Sequence, residues 1–248
     1  MQLRVIGFWG GYPAVGEATS CYVLEKDGFT LVIDMGSGAL STLQKYYDIE
    51  QIDAVILSHY HHDHMADIGV LQYAKLVHMY LGKGDDLLPI YGHDEDDRFY
   101  DLTHDQTVAK QYLPGETLMV GPFMIDFLKT KHPVPCYGMR INDGEKTIVY
   151  TADTAYDEEW IKFSEGADLL ITDCNFYAEQ DGEAAGHMTS EQGGYIAAHA
   201  QVNHLLLSHL PQYGNKTDLI EEAMRHYNGP ITLANEGLIW DSKEGFIK

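Results

Sequence analysis

The sequence predicts an α/β fold, and three observations carry that prediction. Short apolar runs of strand character alternate with helical segments along the chain. Turn signals built on Gly, Pro and Asp separate them. His59, His132, Asp153 and His209 each follow an apolar, β-rich run. In α/β sheets, ligand sites gather at strand ends, where a rigid scaffold holds the loops.

Residues 3–7, 20–25 and 29–34 read as strands. Gly10-Gly11-Tyr12-Pro13 breaks the first from the second, and Lys26-Asp27-Gly28 reads as a hairpin turn. Asp34 closes the third strand in Asp-Met-Gly-Ser-Gly. Residues 39–47 read as a helix and 53–57 as a strand. Met65 to Met79 has helical spacing, with Ile68, Leu71, Leu76 and Met79 broadly on one side. His78 belongs to that helix, and Asp67 is expected to cap or orient.

The pattern weakens from Gly82 to Gly121. Here His93-Asp94-Glu95-Asp96-Asp97 and His104-Asp105 read as solvated surface. Residues 118–128 and 136–141 read as paired strands flanking Lys131-His132-Pro133-Val134-Pro135, whose prolines suit a rigid loop. Residues 146–151 form a strand ending at Ala152-Asp153-Thr154. A helix over 155–164 and a strand over 168–172 follow, then Asp173-Cys174-Asn175. Thr189 with Gln192 is a capping-box pair. It places His187 just before a helix N-terminus, where free N–H groups and the helix dipole favour an anion. A strand over 204–209, an amphipathic helix over 216–227 and two short strands complete the chain.

No low-complexity linker interrupts the 248 residues, so one domain over 1–248 is expected. At 45% hydrophobic residues a sizeable core can form. Cys21, Cys136 and Cys174 are odd in number and form no Cys-x-x-Cys pair, which favours a reducing compartment. No signal segment or membrane-length apolar run is present, so a cytoplasmic protein without membrane attachment is expected. The net charge of −22 comes from 38 acidic and 16 basic residues, and no basic stripe is visible. A large nucleic acid would approach against an unfavourable field, whereas a small anion need feel only the local field of a site. A homodimer is compatible with the sequence.

The chemistry concentrates in Ser58 to His64, which reads Ser-His-Tyr-His-His-Asp-His. His59, His61, Asp63 and His64 fill His-x-His-x-Asp-His directly after Ala54-Val55-Ile56-Leu57. Imidazole and carboxylate are preferred zinc ligands. Four of them in six residues exceed what one tetrahedral ion with an open position takes from a single loop. Split between two adjacent metals, they make sense.

This pattern after a buried strand resembles the signature of the metallo-β-lactamase superfamily of metal-dependent hydrolases. The resemblance implies a four-layer αβ/βα sandwich with a dinuclear site at one edge. It also implies the ligand set. His59, His61 and His132 would hold one zinc, Asp63, His64 and His209 the other, and Asp153 would bridge both. His62 sits at a variable position of the motif and is not assigned. Asp34 would support the metal loop from behind. Two zinc ions per chain are expected, with manganese and iron as alternatives. Two such ions, two aspartates and a bridging hydroxide leave about one positive charge, which suits a phosphodiester monoanion. The metals would bring the pKa of bound water towards ~7 and stabilise charge built on phosphorus oxygens.

Gly186-His187-Met188-Thr189, the Gly-x-x-Gly-Gly-x-Pro opening at Gly7 and His132-Pro133-Val134-Pro135 narrow the resemblance to the ribonuclease Z-like branch. In that branch the histidine at position 187 contacts the scissile phosphate or protonates the leaving oxygen. Asp173 would orient His187, and Asp63 counts with these two among the catalytic residues. The long basic arm with which ribonuclease Z grips transfer RNA has no counterpart between Met79 and Gly121. The expected function is therefore a dinuclear zinc phosphodiesterase on a small or single-stranded substrate. A lactonase, thioesterase or β-lactamase-like carbonyl hydrolase is the alternative, and transfer RNA 3′-processing ranks below both.

Overall fold

A computed structural model describes residues 1–247. The strands are β1 Gln2–Gly7, β2 Cys21–Lys26, β3 Phe29–Ile33, β4 Ala54–Ile56, β5 Leu88–Gly92, β6 Thr107–Gln111, β7 Leu118–Val120, β8 Phe123–Lys129, β9 Tyr137–Asn142, β10 Thr147–Tyr150, β11 Leu169–Asp173, β12 Leu205–Ser208, β13 Ile231–Leu233, β14 Ile239–Asp241 and β15 Gly245–Ile247. The α-helices are α1 Ala39–Leu43, α2 His62–Met65, α3 Ile68–Tyr80, α4 Glu159–Phe163, α5 Ser190–His199 and α6 Lys216–Ala223. They fall in two compact units. One contains Met1–Leu113, Val120–Pro122 and the chain from Asn235; the other contains Pro114–Met119 and Phe123–Ala234.

The first unit carries an eight-stranded sheet in the order β15-β14-β1-β2-β3-β4-β5-β6. Its first half is antiparallel. β2 and β3 join through Asp27 and Gly28, both at positive φ (52° and 81°), as a two-residue hairpin of right-handed twist demands. From β3 to β6 the sheet is parallel, in register Val32↔Val55 and Val55↔Ile90. Val23, Val32, Val55, Leu71 and Ile90 are fully buried in its core. Parallel strands covered on both faces read as continuous apolar runs, as 54–57 does.

The second unit carries a seven-stranded sheet, β13-β12-β11-β10-β9-β8-β7. β10 to β13 are parallel and β8 to β10 antiparallel. Trp160, Leu170, Ile196 and Leu206 are among its buried side chains. In each unit the parallel strands end at residues of chemical interest. β3 and β4 lead to Asp34 and Ser58, and β10, β11 and β12 to Asp153, Asp173 and His209.

Several elements differ from the sequence reading. β5 and β6 lie within the stretch of weak pattern. β5 contains Pro89, which argues against an interior strand by propensity. The expected helix over Met65–Met79 is present as α3, starting three residues later, and the short α2 precedes it and ends at Met65. Between them Asp67 donates its N–H to the Met35 carbonyl and accepts the Leu40 N–H on its carboxylate at 2.9 Å, which takes the chain out of helical register. The strand over 118–128 is broken at Gly121-Pro122, where proline has no N–H for a ladder. The helices at 39 and 216 end early, at Leu43 and Ala223, and the chain closes with three short strands after residue 230. Among the described residues no helix is long and apolar enough to cross a membrane.

Candidate metal centre

In the first unit His59, His61, Asp63 and His64 come together. The rings of His59 and His64 lie 4.2 Å apart, and those of His59 and His61 4.8 Å apart. The loop is held from behind by Asp34, fully buried and in a left-handed conformation at φ 55°. Its carboxylate accepts the Ser58 N–H at 2.7 Å and the Ser58 hydroxyl at 2.8 Å. It also accepts Nδ1–H of His64 at 2.8 Å. Because Ser58 Oγ spends its proton on Asp34, it can accept from Nδ1 of His59, 3.1 Å away. One carboxylate therefore fixes the tautomer of two imidazoles and leaves each Nε2 with its lone pair. Nε2 of His64 lies 3.7 Å from Asp63, whose carboxylate accepts the Gly11 N–H at 2.7 Å.

The neighbouring segment adds a brace that sequence reasoning missed. His93, read as surface, is buried at 1% exposure, and its carbonyl accepts the Tyr60 hydroxyl. Asp94, Glu95 and Asp97 are solvated, as expected. Asp96 instead grips the Arg98 guanidinium at 2.7 Å, and Arg98 donates to the Tyr60 carbonyl, between His59 and His61. Arg98 in turn holds Asp96 well below the usual carboxylate range, at about 2. Nothing in the sequence pairs position 98 with position 60.

In the second unit Asp153, Asp173, His187 and His209 converge, each offering an atom within 4.8 Å of the others. Nε2 of His209 lies 3.3 Å from one Asp153 oxygen, and Nε2 of His132 lies 3.9 Å from the other. His132 donates Nδ1–H to the Gly186 carbonyl at 3.0 Å, which again leaves the lone pair on Nε2. Gly186 itself sits at φ 77°, and a Cβ there would come within 2.7 Å of His132 Nδ1. Ala152 and His209 are also left-handed, both at φ 53°. Non-glycine residues rarely adopt this conformation, and such strain concentrates at functional sites.

His187 Nδ1 donates to Asp173 Oδ2 at 2.8 Å. Asp173 Oδ1 lies 3.4 Å from Nδ1 of His209, and the rings of His187 and His209 stack at 5.2 Å. Burial pushes the Asp173 carboxyl up, but the adjacent His187 and His209 outweigh it and hold it below its ordinary value. Burial likewise lowers His187, but the Asp173 charge and hydrogen bond raise it above an ordinary imidazole. The expected capping box is present: Thr189 and Gln192 exchange bonds at the start of α5. His187 lines a cavity of about 260 Å³ with Lys131, Tyr156 and Gln192.

Both units thus present buried imidazoles anchored through Nδ1, and Nε2 of His64, His132 and His209 faces a carboxylate, the donor chemistry that a zinc-type cation requires. Exposed histidines would show no such shared anchoring.

Residues 30–210 match the β-lactamase superfamily domain, so the chain belongs to the metallo-β-lactamase superfamily and has its α/β sandwich fold. It is 52% identical to the probable metallo-hydrolase YhfI of Bacillus subtilis, over 97% of this chain and all of that one. The crystal structure of YhfI superposes with a TM-score of 0.95, covering 96% of this chain and 98% of that one. More distant structures share the fold. Human tRNase Z, short form, matches at a TM-score of 0.76 and 18% identity over 97% of this chain and 99% of that one. A diphosphatase of the PhnP family matches with the same score and identity over 100% and 99%.

Proposed function

We propose that this metallo-hydrolase of the β-lactamase fold is a zinc-dependent phosphodiesterase acting on a small anionic substrate, with His187 as the proton donor. The observation that carries the reading is the 2.8 Å Asp173–His187 pair, with the His187 ring stacked on that of His209. Hydrolysis of a phosphodiester expels an alkoxide, which needs a proton; an imidazole with Nδ1 fixed on a buried carboxylate offers that proton from Nε2. A carbonyl hydrolase of the same fold has less need of such a donor. The strongly acidic composition favours a compact substrate over a long nucleic acid.

His59, His61, Asp63, His64, His132, Asp153 and His209 are the residues proposed to hold the metal, two ions per chain. Bound zinc would lower the pKa of a water and stabilise charge on the phosphorus oxygens. The chain's own part is separate. Asp34 sets the tautomers of His59 and His64, Gly186 sets that of His132, and Asp173 orients His187 and favours its protonated form. The structural neighbour from the PhnP family is a diphosphatase, which supports hydrolysis at phosphorus on this fold.

The test is hydrolysis of bis-(p-nitrophenyl) phosphate by zinc-loaded protein, alongside a lactone and nitrocefin. His187→Ala should lose at least a hundredfold in rate while retaining its zinc, since a positioned acid contributes about 10²–10⁴. Turnover of the lactone or nitrocefin with none of the phosphodiester would overturn the substrate class.

A further inference from the structure

The cavity beside His187 is lined by two glutamines whose hydrogen-bonding direction is already decided. Gln180 Oε1 accepts the Tyr177 N–H at 2.9 Å and the Tyr213 hydroxyl at 3.1 Å. Gln192 Oε1 accepts the Thr189 N–H at 2.9 Å, its half of the capping box. A backbone N–H can only donate, so the amide atom facing it is the oxygen, and the NH₂ is left over. Among the described residues neither NH₂ has a hydrogen-bond partner. Gln180 is exposed and Gln192 half-buried, so both donors are open to water and to a ligand that displaces it. Lys131 lines the same cavity and pairs with Asp157 at 3.0 Å through one of its three N–H groups. The acidic groups here are Asp181 and Glu183, both exposed, and Asp181 already accepts the Glu183 N–H at 3.0 Å.

We propose that Gln180 and Gln192 are specificity-determining residues, which bind neutral acceptor oxygens, carbonyl or ether, on the alcohol that leaves. The proposal rests on the phosphodiesterase reading above. In that reaction the oxygen of water bonds to phosphorus and the ester P–O bond breaks. The leaving oxygen takes the Nε2 proton of His187, and the proton given up by water restores the imidazole. Whatever occupies the cavity beside His187 is therefore the leaving alcohol. Three features select its class. The first is donor direction. Two NH₂ groups whose oxygens are tied inside the polypeptide call for acceptors, and a group without them leaves those donors unpaired. The second is charge. Asp181 and Glu183 outnumber Lys131, so a second anionic group on the leaving alcohol would meet like charge. The third is size. At about 260 Å³ the cavity lies just below the ~300–1,000 Å³ of small-molecule sites, room for one compact group rather than a strand.

The test keeps the internal bonds and removes only the donors. In Gln180→Glu/Gln192→Glu a carboxylate oxygen accepts from Tyr177, Tyr213 and Thr189 as the amide oxygen does, and glutamate serves a capping box equally well. The variant should keep its circular dichroism and melting temperature. The substrate is para-acetylphenyl para-isopropylphenyl phosphate, whose two leaving phenols are alike in size, one with a carbonyl and one without. Zinc-loaded wild type should release para-hydroxyacetophenone over para-isopropylphenol at a ratio about tenfold above that of the variant. Repulsion by the added carboxylates acts on both ester bonds of one molecule and cancels in the ratio. A second measurement needs no turnover. In heteronuclear NMR spectra the side-chain NH₂ signals of Gln180 and Gln192, assigned by their loss in the single variants, should shift with para-hydroxyacetophenone and stay in place with para-isopropylphenol. An equal ratio in the two proteins, or NH₂ signals that ignore the carbonyl compound, would overturn the subsite. The expected shifts with neither ester bond cleaved would instead overturn the phosphodiesterase reading.

Discussion

Asp173 touches two histidines with its two oxygens: Oδ2 accepts Nδ1–H of His187 at 2.8 Å, and Oδ1 lies 3.4 Å from Nδ1 of His209. It also accepts the Thr154 N–H, next to Asp153. One fully buried carboxylate thereby ties together the ends of β10, β11 and β12. Asp173→Asn keeps the shape but removes the charge. The variant should lose about 10–100-fold in kcat with KM little changed, because such supporting carboxylates act on the residue they orient. A loss confined to KM would assign Asp173 to substrate binding instead.

Asp34→Ala leaves Ser58, His59 and His64 without their common anchor. Zinc affinity, measured by chelator competition, should fall about 10–100-fold. Stability should also fall by about 2–4 kcal/mol in urea unfolding of the metal-free protein, since buried donors lose their acceptor. Unchanged affinity would show that the imidazoles hold their orientation without it.

Gly186→Ala places a methyl group 2.7 Å from His132 Nδ1 at a backbone angle of 77°. The strain costs about 1–2 kcal/mol. His132 must move as well, so activity should fall more than the melting temperature alone accounts for. Gly28→Ala, at φ 81° in an exposed turn with open space around its Cβ, supplies the control: a similar stability loss with kcat intact.

The stability of the second unit should depend on acid through His204. Burial lowers its imidazole to about 4, while its neighbour Thr232 keeps it hydrogen-bonded. The unfolded chain takes up a proton near pH 6.5, and the folded chain refuses it until about pH 4. Stability is therefore unaffected by this group above pH 6.5 and declines as pH falls from there to 4. The loss should be about 1–2 kcal/mol after allowance for partial solvent exposure. His204→Gln should flatten that part of the pH profile in urea unfolding.

Much of this was legible in the residues. His-x-His-x-Asp-His after an apolar strand, His132 ahead of its prolines and the Thr189–Gln192 cap announce themselves by local spacing, and the structure places them on strand ends and at a helix start. What stayed hidden depends on contacts distant in sequence. β5 is masked by Pro89 and by its brevity. The burial of His93 follows from packing against Tyr60, which no window of the sequence contains. The break between α2 and α3 comes from Asp67 bonding to residues 27 and 32 positions earlier, at Leu40 and Met35.

The hydroxyl of Ser58, donating to Asp34 while accepting from His59, ties the orientation of that imidazole to a carboxylate 24 positions earlier in the chain. A substitution that removes this one hydroxyl should therefore disturb a histidine and a carboxylate together.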